Sequence, residues 1–262
     1  MTALALLEER RPKHCPPPPP RAPLLAIART LDQNRLLRAL PDDAWTRIAP
    51  HLELVELPLG AILHETGRPV THVYFPVSAI TSLLYGMENG ASAQTAMVGR
   101  EGMLGVSLFM GCKTWPSRAM VQNAGYALKL RAALLAGEFE HTPAVAHLLL
   151  RYIQSLITQI AQTAVCNRHH SIEQQLCRWL LTTTDRLTGD DLFITQELIS
   201  QMMGVRREGI TEAAGKLQRL GMISLGRGRI TVVDRAAMEG HACECYGVVK
   251  CEAERLMQAR TN

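Results

Sequence analysis

The segment GVRREGITEAAGKLQRLGMI, which runs from Gly204 to Ile223, decides the fold of this chain. Its apolar residues recur every three or four positions, as on one face of a helix: Ile210, Ala213, Ala214, Leu217 and Leu220. Arg206, Arg207 and Glu208 stand together at the N-terminal end. Because a helix dipole favours anions at that end, two arginines there indicate a contact with something outside the protein.

A shorter helix precedes this one. Thr195 can cap a helix that continues to Met203, because its hydroxyl can accept hydrogen bonds from the amides of the first turn. Gly204 permits the left-handed backbone that ends that helix, and Ser200 is small enough for two helices to approach closely. The second helix then runs from about Arg206 to Leu220. Together the two predict a helix-turn-helix.

A short hairpin is expected after the second helix. Gly221 ends that helix, and the segments MISL and RITVV flank Gly226-Arg227-Gly228, which predicts a wing. In such a unit the second helix enters the major groove and basic residues around it hold phosphates, so double-stranded DNA is the expected partner. The predicted DNA-binding residues are Arg206, Arg207, Glu208, Thr211, Glu212, Lys216, Arg227 and Arg229. The alternative is a helix pair that only packs, with its arginines solvated.

Overall charge does not by itself indicate nucleic acid. The 262 residues carry a formal charge of +4, and most of that excess lies before residue 31. Basic residues cluster instead between Gly204 and Arg235, where seven of them stand beside three acidic ones. We find no apolar run long enough for a membrane span and no secretory signal, so a cytoplasmic protein without a membrane partner is expected. Seven thinly spread cysteines do not indicate a disulfide framework.

The sequence predicts a protein of the α+β class that is divided into five regions. Residues 1–30 contain the run Pro16 to Pro20 and predict a disordered tail. Residues 31–138 have short alternating segments between regular turn signals, which predict a β barrel or sandwich. Residues 139–168 are expected to form a dimerisation helix, residues 169–238 the DNA-binding domain, and residues 239–262 a C-terminal helix.

The predicted dimerisation helix carries an apolar seam. Leu149, Ile153, Leu156 and Ile160 follow one another at spacings of four, three and four, which is the pattern of a coiled coil. A seam this apolar must be buried, so we expect a homodimer that uses these four residues. Burial against the β domain of the same chain is the alternative, and it is common for amphipathic helices.

These features together resemble the Crp-Fnr family of bacterial transcription regulators. Gln196, Ser200, Gly204 and Ile210 match the family's helix-turn-helix pattern, and Arg207-Glu208 matches the pair with which the family reads bases. The resemblance implies a jelly-roll sensor domain like those that bind cyclic nucleotides, a long dimerisation helix and a winged helix-turn-helix. RNA polymerase becomes a candidate partner. Arg206, Gly209 and Glu212 depart from the family's usual residues, which implies a different operator.

The resemblance also implies an effector pocket, formed here by Glu101, Gly102, Gly105, Ser117 and Arg118. Gly105 occupies the place of the carboxylate that binds the ribose in the family. Ser117-Arg118 stands in reversed order relative to the pair that binds the cyclic phosphate. We therefore expect no response to cyclic AMP, and the small-molecule effector is unknown.

The cysteines near the C-terminus raise an alternative function. His241, Cys243, Cys245 and Cys251 fall within eleven residues, which would suit a thiol- or metal-based redox sensor. Residues two apart point to different sides of a helix, however, so no metal site and no cofactor is predicted. No catalytic residues are predicted either. A metal-dependent jelly-roll enzyme needs several histidines and a carboxylate around one ion, and His64 and His72 are the only histidines between Leu52 and Leu130. A third alternative is an interaction scaffold that does not bind DNA.

Overall fold

The computed structural model describes residues 34–258, apart from positions 89, 188 and 190. The predicted tail, residues 1–30, lies outside the described residues. The described chain mixes helices with antiparallel sheets, which confirms the α+β class. No helix within the described residues is long and apolar enough to cross a membrane.

The N-terminal unit consists of two short helices followed by seven strands. The helices are α1 (Arg35–Arg38) and α2 (Asp42–Ile48). The strands are β1 (Glu53–Leu57), β2 (Ile62–His64), β3 (His72–Pro76), β4 (Ile80–Gly86), β5 (Ser92–Val98), β6 (Arg118–Asn123) and β7 (Gly125–Arg131). A first sheet has the order β1-β7-β3 and a second has the order β2-β6-β4-β5. All pairs are antiparallel, with Leu54 opposite Leu128 in the first sheet and Leu83 opposite Ala119 in the second.

The second sheet is buried on both faces. Side chains alternate along a strand, so neighbouring residues of β4 point in opposite directions. Leu83 joins the core that the two sheets share, whereas Ile80 and Leu84 join a second core with the C-terminal part of the chain. This sheet therefore lies between the two halves of the molecule and packs against both.

A buried polar network lies on the face of this sheet that meets the C-terminal half. Gln94 Nε2 donates to Ser82 Oγ at 2.8 Å and to Gln122 Oε1 at 2.7 Å. Trp179 Nε1, from the C-terminal half, donates to Gln94 Oε1 at 2.7 Å. Because buried polar groups are costly when unpaired, this network fixes how the two halves meet.

Two helices follow β7. They are α3 (Ala132–His141) and α4 (Pro143–His169). The bounds of α4 agree to within a few residues with those of the predicted dimerisation helix, residues 139–168. One face of α4 packs into the core of the β domain, where Tyr152 Oη donates to Met103 O at 2.9 Å. Burial raises the pKa of the Tyr152 hydroxyl, so it stays a hydrogen-bond donor.

The prediction of the dimer seam is wrong in its choice of face. Leu149, Ile153 and Leu156 are buried in the core of their own β domain, and Ile160 packs against that core. Leu149, Ile153 and Leu156 are covered within one chain, so they cannot also pack against a partner. The alternative of burial against the home domain describes this face of α4 correctly.

Among its described residues, the C-terminal half contains five α-helices and a third sheet. The helices are α5 (Ile172–Thr184), α6 (Gln196–Met203), α7 (Arg207–Arg219), α8 (Arg235–His241) and α9 (Glu244–Gln258). The third sheet has the order β8-β10-β9 and is built from β8 (Asp191–Leu192), β9 (Ile223–Gly226) and β10 (Arg229–Val232). Residues 239–258 are thus not one helix, because the chain leaves helical geometry between α8 and α9.

The polar network gives a first prediction. Trp179→Phe keeps the apolar ring but removes the donor to Gln94, so we expect the free energy of unfolding to fall by about 1 to 3 kcal/mol. Trp115→Phe is the matched control, because its buried indole N–H has no hydrogen-bond partner among the described residues. Urea denaturation followed by circular dichroism measures both. Equal losses for the two variants would contradict a special role for Trp179.

Candidate nucleic-acid interface

The helix-turn-helix is formed by α6, a sharp turn and α7. Thr195 caps α6 by accepting a hydrogen bond from the amide of Leu198 at 3.2 Å. Gly204 ends α6 with a φ of +68°, a backbone conformation that favours glycine. The amide of Val205 then donates to Ser200 O at 3.0 Å. The predicted helix-turn-helix is confirmed, and α7 begins at Arg207, one residue later than expected.

The apolar face of α7 holds the helix in place. Its buried residues are those of the predicted stripe: Ile210, Ala213, Ala214 and Leu217. Leu220, the last residue of that stripe, is exposed and lies just beyond the helix. Gly209 lies at the contact between α7 and α5, since a Cβ there would lie 2.9 Å from Ile172 Cδ1 at the start of α5.

All eight residues predicted to bind DNA are exposed, which leaves them free to contact a partner: Arg206, Arg207, Glu208, Thr211, Glu212, Lys216, Arg227 and Arg229. Arg206 is the N-cap of α7. The first two turns of α7 carry Arg207, Glu208, Thr211 and Glu212. The structure thus brings the base-reading candidates to one end of one helix. Arg227 lies between β9 and β10 beside Gly228, whose φ is +69°.

Two residues of α6 contact this end of α7 and were not predicted. Glu197 pairs with Arg207, with 3.5 Å between a carboxylate oxygen and Nε. Gln196 accepts a hydrogen bond from Thr211 Oγ1 at 2.9 Å. Both follow the cap Thr195 in the first turn of α6, so the predicted turn geometry could have located them. They orient the side chains that face outward.

The predicted phosphate contacts also have partners within the protein. Lys216 Nζ lies 2.6 Å from a carboxylate oxygen of Glu173, which also accepts a hydrogen bond from His241. Burial would raise the pKa of Glu173, but the contacts with Lys216 and His241 outweigh it and hold that pKa below its usual range. Arg229 lies 3.9 Å from Asp191. Lys216 is thus held by α5, while Arg227 projects from the hairpin.

The sequence of this region matches a known family. The model described as the Crp-like helix-turn-helix domain matches residues 174–240, which include α6, α7 and the hairpin. Residues 174–240 thus form a Crp-like helix-turn-helix domain. A comparison with curated protein sequences found no match.

Solved structures share the Crp-Fnr fold. FixK2 from Bradyrhizobium japonicum is 13% identical, with a TM-score of 0.65 over 73% of this chain and 98% of that one. A protein described as a Crp/Fnr-family transcriptional regulator from Eubacterium rectale is 19% identical, with a TM-score of 0.62 over 79% and 96% of the two chains. TTHB099 from Thermus thermophilus is 16% identical, with a TM-score of 0.60 over 72% and 96%. This chain thus shares the fold of these regulators and carries a Crp-like helix-turn-helix domain.

Two of the residues predicted to line an effector pocket contact elements that pack against the β sheets. Glu101 pairs with Arg186, at 2.7 Å between carboxylate oxygen and Nε, beside a cavity of about 340 Å³. A Cβ on Gly102 would lie 2.3 Å from atoms of the Tyr152 ring, so this glycine makes room for α4. Glu101 thus lines this cavity, and Gly102 lies against the Tyr152 side chain.

Of the other three predicted pocket residues, Gly105 lies beside His64 and Arg118 beside Glu65. Gly105 has a φ of +104°, and a Cβ there would lie 2.9 Å from Val73 Cγ1 and 3.5 Å from His64 Cε1. Arg118 Nε pairs with Glu65 at 2.8 Å. Ser117 is buried, and its hydroxyl has no partner among the described residues. The one arginine of this group is therefore already neutralised by a carboxylate.

The four residues that the sequence suggested for a thiol or metal site do not form one cluster. His241 binds Glu173, and Cys251 is exposed. Cys243 and Cys245 are buried together with Cys166 from the far end of α4, which lies 77 positions earlier in the chain than Cys243.

Proposed function

We propose that this protein is a sequence-specific, DNA-binding transcription regulator that reads its operator with α7. The exposed polar residues at the N-terminal end of that helix carry the proposal. Its other face is buried, so the helix presents Arg206, Arg207 and Glu208 together at a free tip. This is the part of a recognition helix that meets base edges in the major groove.

The interface residues divide by task. Arg207 can form a bidentate contact with guanine, and Glu208 and Glu212 can accept from cytosine, so these residues specify the sequence. Arg227 and Arg229 on the hairpin contact phosphates, and so does Lys216 once it leaves Glu173. Glu197 contributes indirectly, because it holds Arg207 before DNA arrives.

The regulator acts as a homodimer, and its outer α4 face forms the dimer seam. Exposed residues on α4 follow spacings of three and four that continue for seven positions: His147, Leu150, Gln154, Ile157, Ala161, Ala164 and Arg168. This is the repeat of a coiled coil. Leu150 and Ile157 are each 47% exposed, which is unusual for large apolar residues that recur on one stripe. A second copy of α4 supplies the same stripe and so covers it.

The β domain is the sensor of this regulator, with an effector that is not cyclic AMP. Gly105 supplies no carboxylate for a ribose, and its backbone and surroundings leave no space for one. Arg118 is held by Glu65 rather than presented to a cyclic phosphate. We place the protein in the cytoplasm with RNA polymerase as a partner, because these are what a bacterial transcription regulator requires.

The division of tasks on the DNA-binding surface can be tested with two variants. Arg207→Ala should cost about 1 to 3 kcal/mol on the preferred site and little on unrelated DNA. Arg227→Ala should weaken both alike and reduce the slope of log affinity against log salt by about one. Binding-site selection followed by fluorescence anisotropy at several salt concentrations measures this.

Arg38→Ala on α1 is the control, since it changes net charge equally within the N-terminal unit. Uniform weakening by Arg207→Ala would show that this residue holds phosphate instead of reading a base. If the unaltered protein selects no sequence at all, the interaction scaffold becomes the better account.

The seam on α4 can be tested separately. Replacing Leu150 and Ile157 together with glutamate should give folded monomers, because charges would then face an apolar partner while the home core stays intact. Leu156→Ala should instead lower the free energy of unfolding by about 2 to 5 kcal/mol without directly removing the seam. Sedimentation velocity and circular dichroism distinguish the two effects. A folded double-glutamate variant that is still dimeric would place the dimer interface elsewhere.

The missing ribose carboxylate predicts the response to nucleotide. Titration of the full-length protein with cyclic AMP should give no heat of specific binding at micromolar concentrations. Arg118→Ala should leave that result unchanged. A dissociation constant near or below about 1 μM, equivalent to roughly 8 kcal/mol, would overturn this prediction.

A further inference from the structure

Four metal-ligating side chains meet at the end of α4. Cys166 and His170 come from the last turn of α4 and its cap, and Cys243 and Cys245 come from the junction between α8 and α9. One ligand atom from each lies within 4.8 Å of all the others. The three cysteines are buried and His170 is partly buried.

The backbone explains why these four meet. Cys166 and His170 are four residues apart, so they lie on the same side of the helix. Ala242, after α8, is extended with ψ at 157°, and Cys243 lies outside both helices. Cys243 and Cys245 therefore do not follow helical geometry, which removes the reason for predicting no metal there.

The distances suit a single tetrahedral ion. Cys166 Sγ lies 3.6 Å from Cys243 Sγ, and Cys245 Sγ lies 3.5 Å from His170 Nδ1. A tetrahedral zinc ion with ordinary bond lengths places its sulfur ligands about 3.8 Å apart and a sulfur and a nitrogen about 3.6 Å apart. A multi-iron cluster would spread its ligands more widely, because they bind different iron atoms.

The surrounding residues complete such a site. His170 Nε2 lies 3.3 Å from a carboxylate oxygen of Glu244, which leaves Nδ1 turned toward the thiols. A ligating histidine typically uses one ring nitrogen for the metal and donates the other N–H to a carboxylate. Gln162 Nε2 donates to Cys245 Sγ at 3.0 Å, as expected beside a thiolate.

A buried arginine near this cluster supplies the opposite charge. Three thiolates and a divalent zinc ion together carry one negative charge. Arg178 is buried, forms no ion pair among the described residues and hydrogen-bonds to Thr163 at 3.2 Å. The guanidinium charge of Arg178 acts on Cys166, one of the four clustered side chains. A buried arginine without a carboxylate is costly unless another anionic group is close.

We propose that Cys166, His170, Cys243 and Cys245 bind one zinc ion in a closed site with three sulfur ligands and one nitrogen ligand. The ion ties the C-terminal end of α4 to the α8–α9 junction. Because all four positions are filled by protein, its role is structural: it fixes the orientation of the DNA-binding domain relative to α4.

The test begins with the unaltered full-length protein. Protein purified under reducing conditions, with zinc in the medium, should contain about one zinc ion per chain by elemental analysis. Cobalt substitution should give the visible absorption of a tetrahedral ion with thiolate ligands. Removing the metal with a chelator should lower the melting temperature. Since these measurements need no substitution, they do not depend on whether a variant folds.

Variants then locate the ion. Cys166→Ser and Cys245→Ser should each abolish stoichiometric zinc, whereas Cys112→Ser and Cys251→Ser, at exposed cysteines, should retain it. Glu244→Gln should weaken zinc affinity by about 10- to 100-fold in competition with a chelating dye, because it acts through His170. The proposal fails if folded, reduced protein binds no zinc when zinc is supplied. It fails equally if Cys166 and Cys243 form a disulfide in protein prepared with zinc, or if the Cys112 or Cys251 variant loses the metal.

Discussion

The packing of one face of α4 against the β domain is the interaction on which the other contacts depend. Leu149, Ile153 and Leu156 complete the core between the sheets, and Tyr152 anchors the helix to Met103. Gln159 accepts a hydrogen bond from the amide of Met97 at 2.7 Å and so covers part of the edge strand β5. The start of α5 lies three residues beyond the end of α4, so the docked helix determines where the DNA-binding domain begins.

The sequence predicts those parts of the fold whose signals act within a few residues. The Thr195 cap and the left-handed Gly204 are local, so the helix-turn-helix could be placed to within one residue. The face of α4 could not be chosen in this way. The stripe that contains Leu156 and the stripe that contains Ile157 both follow coiled-coil spacing. Only the tertiary structure shows that Leu156 is 6% exposed and Ile157 47% exposed. The more apolar stripe is the one that the home domain buries.

The candidate sites show the same division. The exposed face of α7 follows from helical periodicity, but the contact of Lys216 with Glu173 joins residues on different helices and has no local signal. The zinc ligands are a more extreme case, since Cys166 and Cys243 are 77 positions apart. The spacing of Cys166 and His170 was visible, yet a cysteine and a histidine one turn apart are informative only when a third ligand is known to approach them.

The two-sided burial of the second sheet affects how such a protein can be recombined. Along β4 alternate residues serve different halves of the molecule: Leu83 belongs to the core of the β domain, while Ile80, Ser82 and Leu84 face the C-terminal half. A cut at the end of α4 therefore does not separate two independently packed units. In a functional chimera, the residues on one surface of β4 must come from the parent that supplies the β domain, and those on the opposite surface must match the parent that supplies the C-terminal half. Module boundaries in this fold therefore run through a sheet rather than along a linker.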